Sequence, residues 1–211
     1  MTNIRYGVFL RPDAVTCWNV TQITLALKHQ FGIVSAGAFP PHATLIGNLR
    51  TDASPQDLVK ILDPVFAATQ PFPVYNAGVR HRETGTYQYD VNLDANGSDI
   101  NRPFNDVARR VATAVAPVSI DVNDFLVPPV SQYKFAGHMG LASHDLRVDP
   151  HLGDEVGEFI AGLGLTPPSS FVARWYSLFE FQSDWDGHWW ETLRWRHLHS
   201  WDVAREAGQH V

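Results

Sequence analysis

The feature that most constrains the fold is the way the hydrophobic period switches along the chain. Ile4, Tyr6, Val8 and Leu10 alternate with other residues, the pattern of a strand with one buried face. Arg11-Pro12-Asp13 closes that strand, and Ile23, Ala26, Leu27 and Phe31 then share one helical face. A loop over 33–41 ends at Pro40-Pro41 and leads into a strand at about 42–48. Ser54-Pro55 starts a helix whose stripe is Leu58, Ile61, Leu62, Val65 and Phe66. Strands are predicted at 72–79 and 86–93, joined around Glu83-Thr84-Gly85.

The second half repeats this alternation. Phe104, Val107, Ala108, Val111, Ala112 and Val115 mark a helix, and a proline-containing loop through Pro128-Pro129 leads to a strand at about 135–142. Val156, Phe159, Ile160 and Leu163 mark the next helix. A hairpin, about 171–182 and 189–199, turns at Asp184-Trp185-Asp186-Gly187. The order β-α-β-α-β-β followed by α-β-α-β-β predicts one bilobed α+β domain over 1–211, with a pseudo-repeat of about 1–95 and 96–211. No stretch rich in Gly, Ser or Pro cuts it.

Composition narrows the function. A net charge of −6 argues against a protein that coats nucleic acid through a broad basic surface. It leaves room for a small phosphorylated ligand held by a few groups. Cys17 is the only cysteine, which removes disulfide frameworks and cysteine-based zinc sites within one chain. The first residues lack a basic segment followed by an apolar run, and no stretch approaches the roughly 18 apolar residues of a membrane span. A cytoplasmic monomer is the expectation.

The chemistry concentrates in two segments, Pro41-His42-Ala43-Thr44-Leu45-Ile46-Gly47 and Gly137-His138-Met139-Gly140-Leu141-Ala142-Ser143. Each opens a short apolar strand with histidine. Side chains alternate across a strand, so His42 and Thr44 share a face, as do His138 and Gly140. Cleaving a phosphodiester requires taking a proton from the nucleophile and giving one to the leaving oxygen. Imidazole, with an ordinary pKa near 6.5, does either near neutrality. A hydroxyl two residues on, as at Thr44, is placed to hold a non-bridging oxygen.

These two segments resemble the paired His-x-Thr/Ser motifs of the 2H phosphoesterase superfamily, which includes 2′,3′-cyclic nucleotide phosphodiesterases and 2′-5′ RNA ligase-like proteins. The element order and the opening strand are also similar. The resemblance implies a bilobed fold, two antiparallel-rich sheets with flanking helices around a central cleft. It implies cyclic phosphodiester hydrolysis with His42 and His138 as the acid–base pair and no metal or other cofactor. The ligand implied is a small phosphorylated nucleotide or RNA end. Thr44 matches the motif; Gly140 stands where the family has Ser or Thr, so one phosphate-holding hydroxyl is absent unless a neighbour such as Ser143 or Tyr133 supplies it.

Other residues carry two readings. Tyr6 either lines the cleft or packs in the core. Lys134, against a solvated strand edge, and Arg174, just before Trp175-Tyr176, are candidate phosphate ligands. Arg80 and Arg82, flanking His81, read as a surface cluster. Six of the seven tryptophans lie between Trp175 and Trp201; Trp189, Trp190 and Trp195 either stack a base or pack the hairpin. His138, His144 and His151, and His197 with His199, raise a metal-dependent hydrolase, although no His-Glu-x-x-His signature is present. A nucleotide- or RNA-binding module without catalysis is the remaining alternative.

Overall fold

The computed structural model describes residues 4–121, 130–132, 134–185 and 187–206. The first wall of the molecule is a four-stranded antiparallel sheet. Its strands are β1 (Ile4–Arg11), β2 (Ala43–Leu49), β8 (Trp175–Gln182) and β9 (Arg194–Asp202), in the order β2-β1-β8-β9. The second wall is a three-stranded antiparallel sheet of β4 (Val79–His81), β5 (Tyr87–Asp90) and β6 (His138–Ala142). A two-stranded sheet pairs β3 (Phe72–Tyr75) with β7 (Ser170–Ala173).

The fold class matches the expectation; the number of sheets does not. The segment 72–79 divides because Asn76 accepts a hydrogen bond from the Gly78 backbone through its side chain, and Gly78 has φ +92°. That turn sends β3 to one sheet and β4 to another. Likewise 171–182 is two strands, since β7 pairs with β3 and β8 with β1 and β9. The predicted strand over 189–199 begins later. Ser183 donates to the Trp189 carbonyl at 2.8 Å and sits 2.8 Å from the Thr192 hydroxyl, folding the helical turn α6 (Trp189–Thr192) ahead of β9. Both walls draw strands from the first 95 residues and from the remainder.

The helices begin where their caps dictate. Asp13 accepts from Thr16 N–H at the start of α1 (Ala14–Phe31), and Gly32, at φ +72°, ends it. Ser54 caps α2 (Pro55–Ala67), and Asn101 caps α3 (Arg102–Val115). One apolar core runs from Val8, Leu10 and Leu45 through Leu62, Phe66 and Phe104 to Met139 and Leu141, so both walls share it. The Tyr89 hydroxyl donates to Asn19 at 2.7 Å inside this core, tying β5 to α1. No helix is long and apolar enough to cross a membrane among the described residues.

Alternation on β1 and β8 gives the first wall two apolar faces. Tyr6, Val8 and Leu10, with Tyr176 and Leu178, enter the main core. The off-phase residues Phe9, Phe179 and Phe181 form a separate cluster, covered in part by Phe39, Trp185 and Leu193. Gly7 permits this. A Cβ there would lie 2.3 Å from the Phe9 ring, which folds back over the glycine. This second apolar face becomes one side of the site.

Candidate active site

A cavity of about 370 Å³ opens between the two walls and is lined by both motif histidines. His42 stands immediately before β2, and His138 is the first residue of β6. Each imidazole is held in the same way. His42 Nδ1 lies 2.8 Å from the Pro40 carbonyl oxygen, and His138 Nδ1 lies 2.7 Å from that of Ala136. A carbonyl only accepts, so both rings carry their proton on Nδ1. In the neutral ring Nε2 is then a free acceptor, the form a general base requires.

The surroundings of the two rings differ. Phe39 stacks on His42 with centroids 4.2 Å apart, and Phe9 meets it edge-on at 4.7 Å. Burial holds the His42 pKa down, to about 4, against a smaller opposing effect of the Pro40 hydrogen bond; the charge of His138 lowers it further. His138 is also lowered, chiefly by burial and then by Arg82 and Arg147, while the Ala136 bond and Asp90 oppose.

Thr44 lines the cavity on the strand that His42 opens. Pairing of β1 with β2 skips a residue between Phe9↔Thr44 and Val8↔Ile46, so Leu45 and Ile46 are both buried. That irregularity returns Gly47 and Asn48 to the cavity side. Asn48, at φ +57°, accepts a hydrogen bond from the Arg5 guanidinium, which also lies 4.2 Å over the Trp185 ring. Opposite, Gly140 pairs with Gln88, and both line the cavity. A Cβ on Gly140 would meet only the Ala36 Cβ, at 3.7 Å, so a small side chain fits there.

The walls are fixed to each other by Asp145, on α4 (His144–Val148). Its carboxylate accepts from Val34 N–H at 3.1 Å, from Ser35 N–H at 2.8 Å and from the Ser35 hydroxyl. Ser35 and Ala36, in the short 3₁₀ turn before β2, therefore sit against the second wall.

His42, Thr44, His138 and Gly140 come together as the motif spacing predicts, and Ser143 also lines the cavity. Tyr133 lies outside the described residues. Three predicted ligands do not reach the site. Tyr6 is on the opposite face of β1, buried in the main core. Arg174 binds Asp202 through two hydrogen bonds, 2.6 and 2.7 Å, beside Trp175. Lys134 is exposed and does not line the cavity. Arg82, read as a surface residue, does line it, while Arg80 pairs with Asp90 at 3.7 Å. Arg5, Phe9, Arg147 and Trp185 are further lining residues that sequence reasoning missed. Of the tryptophans singled out, Trp189 lines the cavity; Trp190 stacks on His188, and Trp195 packs edge-on against Phe179. Among the described residues, no group of three His, Cys, Asp or Glu side chains is arranged to hold a metal ion.

No protein-family model matches the chain. A search of curated proteins gives no significant match. Solved structures do match. E. coli LigT complexed with 3′-AMP superposes with a TM-score of 0.51 at 13% identity, covering 95% of this chain and 98% of that one. E. coli LigT complexed with NADP+ gives 0.50 at 12% identity, over 96% and 98%. LigT belongs to the 2H phosphoesterase superfamily, and both chains are spanned almost end to end. The present chain therefore has the fold of the 2H phosphoesterase superfamily.

Proposed function

We propose that this chain is a metal-independent phosphodiesterase that opens a cyclic phosphodiester, a 2′,3′-cyclic nucleotide or RNA end, with His42 and His138 as its acid–base pair. The observation that carries the reading is the shared tautomer. Two imidazoles on opposite walls of one cavity each present a free Nε2, because each Nδ1 is bonded to the carbonyl two residues back. His42, packed against Phe9 and Phe39, stays neutral and takes the proton of the attacking water. His138, on the wall that also holds Arg82 and Arg147, gives a proton to the departing ribose oxygen. A bound phosphate favours the protonated form of His138, since a nearby negative charge raises an imidazole pKa. The Thr44 hydroxyl holds a non-bridging oxygen. The aromatic side of the cavity, Phe181, Trp185 and Trp189, offers faces for a base.

The test is turnover of 2′,3′-cyclic mononucleotides and of a short RNA with a 2′,3′-cyclic end, in the presence of chelator. Ring opening to a phosphomonoester at an undiminished rate with chelator supports the reading. Tight nucleotide binding without turnover identifies a binding module, and loss of turnover in chelator identifies a metal-dependent hydrolase.

A further inference from the structure

The two sides of the cavity differ in charge as well as in shape. The side around His138 carries two guanidinium groups, Arg82 and Arg147. Arg82 follows β4 and Arg147 lies on α4, yet the β4–β5 turn brings them to one rim. Gly85 in that turn sits against the Leu146 carbonyl, its Cβ position 3.7 Å away. Glu83, next to Arg82, is exposed and makes no ion pair with it among the described residues, and two other nearby carboxylates are engaged elsewhere. Asp145 is turned toward Val34 and Ser35, and Asp90 pairs with Arg80. Neither Arg82 nor Arg147 forms an ion pair with a carboxylate among the described residues, in a chain whose net charge is −6. Thr84 and Thr86, on the same turn as Arg82, also line the cavity and sit 3.2 Å apart, hydroxyl to hydroxyl.

Two forked cations and two hydroxyls lining one cavity suit a tetrahedral anion, and arginine is the side chain best shaped to grip a phosphate with two parallel hydrogen bonds. In the proposed reading the scissile phosphate lies between the histidines and Thr44. We propose that Arg82 and Arg147 form a second phosphate subsite, which selects substrates carrying another phosphate on the 5′ side of the cyclised ribose. This rests on the reading of the cavity as a phosphodiesterase site. Burial lowers the Arg147 pKa, the cost of holding a cation partly out of water, and an anion at the rim offsets it. The second phosphate has two sources, a 5′-monophosphate or the internucleotide linkage of an RNA chain.

The experiment compares kcat/KM for three substrates: a nucleoside 2′,3′-cyclic phosphate with a free 5′-hydroxyl, the same compound with a 5′-phosphate, and a dinucleotide ending in a 2′,3′-cyclic phosphate. The wild-type protein is expected to prefer one or both phosphorylated substrates by about tenfold or more, as charge-assisted contacts of this type imply. Preference for the dinucleotide alone identifies the linkage as the source; preference for the 5′-phosphate alone identifies the monophosphate. In the double variant Arg82→Gln/Arg147→Gln the preference is expected to collapse to within about twofold. Equal losses on all three substrates, with the preference kept, overturn the proposal, because the arginines then hold the scissile phosphate. A wild type with no preference also overturns it. Calorimetric binding of nucleoside 3′-monophosphate and 3′,5′-bisphosphate separates the two readings. A tenfold advantage for the bisphosphate, lost in the double variant, supports the subsite even where no substrate is turned over. Equal binding of the two, together with no preference for the dinucleotide, overturns it.

Discussion

The two walls of the cavity hold a histidine by the same backbone device and then surround it differently. His42 lies against Phe39 and Phe9, with a hydroxyl two residues on at Thr44. His138 lies in the field of Arg82 and Arg147, with no side chain two residues on at Gly140. Aromatic burial suppresses charge on one ring. On the other side burial does the same, with a smaller addition from the cationic rim that an anion would cancel. One device repeated thus sets both rings in the same tautomer but in different surroundings, aromatic on one side and partly cationic on the other.

Removing either ring tests that division most severely. His42→Ala and His138→Ala are each expected to lower kcat by about 10²–10⁴-fold, the range of general acid–base catalysis. The double variant should lose little more than the worse single one, since the rings act as a unit. Steady-state kinetics on a cyclic nucleotide checks this. Strictly multiplicative losses would mean that the two sides work independently.

The hydroxyl asymmetry should have a smaller effect. Thr44→Ala is expected to lower kcat about tenfold to a thousandfold if its hydroxyl meets the transition state. Gly140→Ser should raise kcat by about tenfold, because the serine Cβ has room beside Ala36 and adds the missing donor. A fall in kcat for the serine variant, with the fold intact by circular dichroism, would show that the space at Gly140 is occupied by substrate. Unchanged rates for Thr44→Ala would remove the hydroxyl from the phosphate site altogether.

The smallest effect is a displacement of the pH profile. A base works when neutral, so kcat/KM should fall as pH drops through the His42 value, about 4. An acid works when protonated, so kcat/KM should also fall as pH rises through the His138 value, which lies below 6.5. The maximum is therefore expected on the acid side of 6.5, and the curve reports the pair. Phe39→Ala lets water reach His42 and should move the lower limb upward toward 6.5, narrowing the profile. A lower limb that stays in place would show that Phe39 does not control the base.

The strand that sequence reading resolved best also hid part of the site. Ile4, Tyr6, Val8 and Leu10 mark the in-phase, core-facing positions of β1, and this pattern drew attention to Tyr6. The cavity instead receives the off-phase residues Arg5 and Phe9. A phenylalanine at an off-phase position was the available signal that this strand has two apolar faces. His42, Thr44, His138 and Gly140 were legible because each pair is local, two residues apart on one strand. Arg147 had no local signal. Its place depends on the contact between the β4–β5 turn and α4, which no spacing in the sequence encodes. Arg82 reads from sequence as a surface residue, yet it lines the cavity, since the direction of a turn residue is set by what the turn packs against. The break at Asn76-Ala-Gly78 was missed for the opposite reason: it is a side-chain turn inside a run that otherwise reads as continuous strand.

The hydrogen bonds from Val34 and Ser35 to Asp145 lie on neither strand that carries a histidine. They act as a clasp outside the strands, added to the core that β2 and β6 share behind the cavity. Lining residues remote from both clasp and core, such as Arg82 and Trp185, are the ones whose exchange should disturb the opening between the two imidazoles least. A scaffold of this kind separates the evolution of what is gripped from the evolution of how the gripped atom is attacked.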